Sequence, residues 1–174
     1  MKTHLSDQLH SAINGKQHII WDWNGTLLDD VGHAVSIMNT LLSEHDLPKL
    51  NRERYRKIFD FPVLKYYQTL GFNFEKESFE KLCHKFVDRF MAGFRELPLF
   101  PEMKSVLREL HQENLSQSVL SATDQPNLNS MVDHFELNSV FKFVFGIDNK
   151  FAASKIERGH ELIRLSKISK KETV

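Results

Sequence analysis

The apolar positions of this chain follow two different periods. A short run, His18-Ile19-Ile20-Trp21, feeds a polar turn, and its length and composition predict a strand over residues 18–23. A weaker pattern over residues 4–14 predicts a short helix before it. After the turn, Val31, Val35, Met38, Leu41 and Leu42 recur at helical spacing to about residue 45, where Asp46-Leu47-Pro48 ends the helix. Asn51 is placed to cap a second helix, with Arg54 three residues on, which makes a plain cap and not a capping box. Phe61-Pro62 opens a third helix carrying Val63, Tyr66, Tyr67 and Leu70 on one face, and Gly71 closes it. Phe79, Leu82, Phe86, Phe90 and Phe94 then hold a helical period through residues 75–94.

The two prolines of Leu97-Pro98-Leu99-Phe100-Pro101 break helix and mark a boundary. Beyond them the pattern predicts a helix over 101–114, a strand over Gln117 to Ala122 and a helix over 126–135. A third strand, Phe141 to Phe145, stops at Gly146, and a helix over 154–166 follows. With residues 32–96 set aside, strands and helices alternate. That alternation predicts a parallel sheet with right-handed crossovers. The expected architecture is therefore α/β: a Rossmann-like core made of residues 1–31 and 97–174, with a small all-helical cap, residues 32–96, inserted between its halves.

Composition narrows the function. The chain has 174 residues, enough for one core domain with a modest insertion, and 14 phenylalanines supply bulk for a core. Lys plus Arg and Asp plus Glu both number 23, so no basic field argues for nucleic acid. The run Lys167 to Lys171 is mixed with Ser and Ile and reads as a solvated helix end. The single cysteine, Cys83, excludes an internal disulfide and reads as a buried structural thiol. No stretch is apolar enough for a membrane span, and the first 17 residues carry no signal-peptide core. A soluble, cytoplasmic protein is expected; the sequence leaves its oligomeric state open.

Three polar residues fall at equivalent places in the predicted sheet. Asp22 follows the first strand, Ser121 ends the second beside Ala122, and Lys155 starts the helix beyond the third. Ends of parallel strands face one edge, so the three converge where open α/β sheets bind ligands. A carboxylate, a hydroxyl and an ammonium suit a phosphate site: the last two bind phosphoryl oxygens, and the first is a nucleophile. Taken singly, Ser121 suits a helix cap and Lys155 a surface lysine; their order with Asp22 carries the reading. In the turn Asn24-Gly25-Thr26, Gly25 permits a sharp bend and the close approach of an anion.

With these residues in place, the chain resembles the haloacid dehalogenase superfamily of hydrolases, in the phosphoglycolate-phosphatase and β-phosphoglucomutase pattern with a helical cap. Asp22-Trp23-Asn24-Gly25-Thr26-Leu27 is similar to the family's first motif, Asp-x-Asp-Gly-Thr-Leu. Ser121 resembles the second-motif hydroxyl and Lys155, in Ala-Ser-Lys-Ile, the third-motif lysine. The resemblance implies that Asp22 attacks phosphorus to form an aspartyl-phosphate on a small phosphorylated metabolite. It implies Mg²⁺ held by the Asp22 carboxylate and the main-chain carbonyl of Asn24. It implies phosphoryl contacts from Gly25, Thr26, Ser121, Ala122 and Lys155.

The chain departs from that pattern twice. Asn24 stands where the family's phosphatases carry an acid–base aspartate, and an amide does neither job. No acidic pair follows the third-motif helix, so residues 168–174 are expected to stop where a fourth strand begins, as in a fragment of a longer chain. That would leave the outer edge of the first strand unprotected. Two further readings therefore stand: a phosphate-binding or interaction module, and a dehalogenase or phosphonatase-type enzyme. Arg52, Arg54, Arg56, Lys57 and Lys65 read as a solvated cationic face, and His33 as a surface histidine.

Overall fold

The computed structural model describes residue 11 and residues 13–148, 155–167, 169 and 171–174, so the helix expected over 4–14 lies almost wholly outside the described residues. Three strands form: β1 (His18–Trp21), β2 (Ser116–Asp124) and β3 (Phe143–Ile147). They make one parallel sheet in the order β1-β2-β3. His18 pairs with Ser116 and Trp21 with Val119, and Ser118 pairs with Phe143. Between β1 and β2 lie α1 (Val31–Glu44), α2 (Arg52–Ile58), α3 (Val63–Leu70), α4 (Phe79–Gly93) and α5 (Met103–Gln112). Helix α6 (Gln125–His134) joins β2 to β3, and α7 (Ile156–Ser166) follows β3.

Local chemistry sets the helix ends. The Asn51 side chain accepts from the Arg54 amide at 2.8 Å, the plain cap read from the sequence. Ser78 and Asp124 cap α4 and α6 in the same way. Gly71 closes α3 with φ of 97°, a conformation that side-chain-bearing residues resist.

The later two strands differ most in extent from expectation. Strand β2 runs on through Thr123 to Asp124, because Asp124 still pairs with Ile147 across an irregularity after Leu120. Strand β3 starts two residues late, since Phe141 turns into the core and is buried there, and it does not stop at Gly146 but runs on to Ile147, which pairs with Asp124. The expected unprotected edge is also corrected. His18 pairs in parallel with Thr173; the Ile20 amide donates to the Val174 carbonyl at 2.8 Å and the Val174 amide to the His18 carbonyl at 3.0 Å. Residues 172–174 thus occupy the edge where a fourth strand was expected.

Two main apolar cores form, beside a third, small cluster of Ile13, Ile19, Val106 and Leu110. One lies on the sheet and gathers Trp23, Leu27, Leu28, Leu107, Val119 and Leu128. The other lies within the insertion and gathers Met38, Leu41, Leu42, Tyr66, Leu70 and Leu82, with Cys83 buried among them as read. Ile37, Phe90 and Phe94 reach from α1, α4 and the short 3₁₀ turn Phe94–Glu96 into the sheet core, seating the insertion on it. The two connections between sheet and insertion run side by side. Leu28 and Leu99 form an antiparallel bridge, flanked by Asp29 N–H to the Pro98 carbonyl at 3.0 Å and Phe100 N–H to the Leu27 carbonyl at 2.9 Å. Among the described residues no helix is long and apolar enough to cross a membrane.

Candidate active site

Asp22 is the first residue beyond β1, at the carboxyl edge of the sheet. Its Oδ1 accepts from the Trp23 amide at 2.9 Å and lies 2.7 Å from Lys155 Nζ. Lys155 immediately precedes α7, on the far side of the sheet order, without capping it, and its ammonium also leans on the Leu120 carbonyl at 3.4 Å. Asp22 keeps 45% and Lys155 31% of their side-chain surface exposed, so this pair faces open space and a ligand can enter between them. Trp23 is fully buried beneath the turn and anchors it.

The turn itself is tightly bonded. The Leu27 and Leu28 amides both donate to the Trp23 carbonyl, and the Gly25 amide to the Leu28 carbonyl. Gly25 has φ of 71°, and a Cβ there would meet nothing within 4 Å. Glycine is needed at this position for its backbone conformation, and the space above it is open to a ligand.

Asn24 is the centre of a hydrogen-bond chain. Its amide Nδ2 donates to Asp30 Oδ2 at 2.6 Å, and its Oδ1 accepts from Thr123 Oγ1 at 2.7 Å. Ser121 Oγ lies 3.1 Å from Thr123 Oγ1 and 3.5 Å from Asn24 Oδ1, and accepts from the Thr123 amide at 3.1 Å. Asp30 accepts once more, from the Gly25 amide at 2.9 Å. A carboxylate on one side and a hydroxyl donor on the other fix which way the Asn24 amide points. Burial pushes the Asp30 carboxyl above the usual range; the bonds from Asn24 and Gly25 oppose that, and the neighbouring Asp29 charge adds to it.

The structure thus brings Asp22, Asn24, Gly25, Ser121, Ala122 and Lys155 around one cavity. Thr26 is not brought there: it is exposed and stands outside the cavity lining. His33 is neither a surface nor a cleft residue. Its Nε2 sits 3.2 Å from the Phe90 carbonyl and its ring meets the Phe90 ring edge-on, between α1 and α4. Among the five basic insertion residues, Arg56 alone lines the cavity.

Two site residues escape a linear reading. Thr123 follows Ser121 by two and so shares its face of an extended strand, a period-two signal available in the sequence. Asp30 looks like an ordinary N-cap of α1. The structure turns its carboxylate back toward the turn, and it makes no capping bond to α1.

No curated protein matches the sequence. Solved structures share the fold. A predicted phosphatase from Clostridium acetobutylicum superposes with a TM-score of 0.76 at 15% identity, covering 91% of this chain and 74% of its own. A predicted phosphoglycolate phosphatase from Haemophilus somnus gives 0.75 at 13% identity, covering 92% and 76%. CbbY from Rhodobacter sphaeroides, solved in complex with phosphate, gives 0.68 at 16% identity, covering 91% and 76%. At these identities the likeness speaks for the fold alone. The sequence family is more specific: residues 19–174 match haloacid dehalogenase-like hydrolases, nearly the whole chain. With a parallel sheet, an inserted helical layer and the Asp22 turn at the sheet's carboxyl edge, the chain belongs to the haloacid dehalogenase-like hydrolase family.

Proposed function

We propose that this chain is a Mg²⁺-dependent phosphomonoester hydrolase that works through Asp22. The observation that carries the reading is the Asp22–Lys155 contact of 2.7 Å, open to solvent and flanked by Ser121. A phosphoryl group entering there meets a carboxylate oxygen for in-line attack. Lys155 and Ser121 are then free to hold its oxygens and to offset the repulsion between an anionic nucleophile and an anionic substrate. The Asp22 oxygen bonds to phosphorus as the ester P–O bond breaks, and the leaving alkoxide takes a proton from water. A second water attacks the phosphorus of the aspartyl-phosphate, releasing phosphate and restoring the carboxylate. Asn24 supplies no proton in either step, so general acid–base help of about 10²–10⁴-fold is missing and turnover is slow.

The donors fit a hard cation that keeps most of its water. The Asp22 carboxylate and the Asn24 main-chain carbonyl are oxygen ligands, and no group of three His, Cys, Asp or Glu among the described residues is placed to hold a metal. Magnesium bound there would neutralise phosphoryl charge.

The clamped amide favours a second reading, a phosphate-binding module with little turnover. One experiment separates the two. Wild type and Asp22→Asn are incubated with Mg²⁺ and small phosphomonoesters, acid-quenched and peptide-mapped. Phosphate release with an adduct on Asp22, both absent from the variant, supports the hydrolase. Binding of phosphate without release supports the module. Release that survives in Asp22→Asn removes Asp22 as the nucleophile.

A further inference from the structure

The cavity at Asp22 has a volume of about 400 Å³ and is sharply divided. Its sheet end presents the charged and hydrogen-bonding groups already described. Its insertion end is walled by Met38, Tyr66, Tyr67, Cys83, Phe86 and Phe90. Burial pushes the Tyr66 and Tyr67 phenols well up and the Cys83 thiol up to about 12, so these groups stay neutral. Arg56 is the sole cation that the insertion adds to the lining among the described residues, and it is exposed. Phe59 and Phe61 are 37% and 41% exposed yet line the cavity, which places two aromatic rings at its opening.

Resting on the hydrolase reading for the phosphate end, we propose that the substrates are phosphomonoesters whose organic part is apolar or aromatic, about the size of a naphthyl group. The polar atoms of this wall are few: the phenols of Tyr55, Tyr66 and Tyr67, the Cys83 thiol and the exposed Arg56 guanidinium. A sugar or a short hydroxy acid therefore brings more hydroxyl or carboxylate oxygens than the wall pairs, and unpaired polar groups are costly to bury. An aromatic group meets rings that prefer edge-to-face contact. Tyr66, for instance, already packs edge-on to Phe59 at 5.2 Å between centroids. The volume lies within the range of ordinary small-ligand sites, about 300–1,000 Å³.

The test is binding, so that it survives a failure of turnover. Dissociation constants for 1-naphthylphosphonate, methylphosphonate and phosphonoacetate are measured by calorimetry with Mg²⁺. The naphthyl compound is expected to bind at least about tenfold tighter than the other two, the lower end of what a single buried methylene is worth. Phe61→Ser and Phe59→Ser, both at exposed positions, are expected to shrink that advantage about threefold each while leaving methylphosphonate binding unchanged. Equal affinities, or tighter phosphonoacetate, would overturn the proposal. In parallel, phosphate release is followed from 1-naphthyl phosphate and 2-phosphoglycolate. Preferred naphthylphosphonate binding without release from either ester keeps the substrate class and defeats the hydrolase. Release mainly from phosphoglycolate keeps the hydrolase and defeats the substrate class.

Discussion

Replacing Asn24 by Asp restores the family's acid on paper, and the structure says why that change alone is harmful. The atom facing Asp30 Oδ2 at 2.6 Å is a donor in the wild type and becomes an oxygen in Asn24→Asp. Two carboxylates this close cannot both stay ionised. At an effective dielectric of about 20, unit charges about 4 Å apart repel by ~4 kcal/mol, and the lost bond to a charged acceptor adds about 1.5–3 kcal/mol. Sharing a proton relieves part of this. Asn24→Asp is therefore expected to lose about 2–4 kcal/mol of stability at pH 8. The pair's folded-state affinity for a proton exceeds that of the unfolded chain, so the loss grows as pH rises and narrows toward pH 5. Asn24→Asp combined with Asp30→Asn reverses the polarity of the bond. The new amide oxygen accepts from Gly25 and its NH₂ donates to the new carboxylate, which still accepts from Thr123. The double variant should recover about 1–3 kcal/mol over the sum of the single changes. It also places a carboxylate at position 24, and phosphate release should rise by about 10²-fold or more. Urea unfolding at pH 5 and pH 8, with phosphate release at pH 7, reads all of this. A single variant as stable as wild type at pH 8, or a double variant that merely sums the two losses, would refute the reasoning.

His18 is fully buried, and burial, aided by Lys142, lowers its pKa to about 4. The unfolded chain takes up that proton near the ordinary value while the fold resists, so stability falls as pH drops from about 6.5 to 4, by about 3 kcal/mol. His18→Asn should flatten this stretch of a stability-versus-pH curve. Glu77 is held down to about 2, first by Lys85 and also by Lys81 and His45, with burial opposing. Its contribution is full above the usual carboxylate range and is lost as pH falls through about 2; Glu77→Gln should cost about 2 kcal/mol at pH 6, and thermal unfolding should show the gap closing near pH 2. Gly146→Ala sets a Cβ 2.6 Å from the Thr123 carbonyl and 2.8 Å from backbone atoms of Gln125. Backbone cannot yield cheaply, so a loss of about 1–3 kcal/mol in denaturant unfolding is expected, with weaker phosphate binding as Thr123 shifts.

The periodic parts of the chain were legible in advance. Val35, Met38, Leu41 and Leu42 are buried on one face of α1, as their spacing required. Asp22, Ser121 and Lys155 met because parallel strand ends share an edge, a consequence of order alone. What escaped depends on where side chains turn. Asp30 stands where a helix cap is expected and makes no cap bond, because both of its carboxylate oxygens are taken by the Gly25 and Asn24 amides. Thr26 is polar and sits in the motif, yet the bend of the turn aims it outward. The β3 boundary slipped by two residues because the Phe141 to Phe145 pattern is apolar at Phe141, Phe143, Val144 and Phe145, and periodicity cannot say which phenylalanine leaves the strand for the core.

The antiparallel contact of Leu28 with Leu99 gives the insertion a common entrance and exit. To the sheet, everything between those residues is a single closed loop. The entropy of closing a loop grows only logarithmically with its length, about 0.6 kcal/mol per doubling. Lengthening or exchanging the helices therefore adds little closure entropy, provided the ribbon at 27–29 and 98–100 stays paired and Ile37, Phe90 and Phe94 still fill the sheet core. The Asp22 turn is not independent of that loop, because Asp30, just inside it, accepts from Asn24 and Gly25; a graft that exchanges the helices must keep residues 28–30 with the sheet to leave the turn where it is.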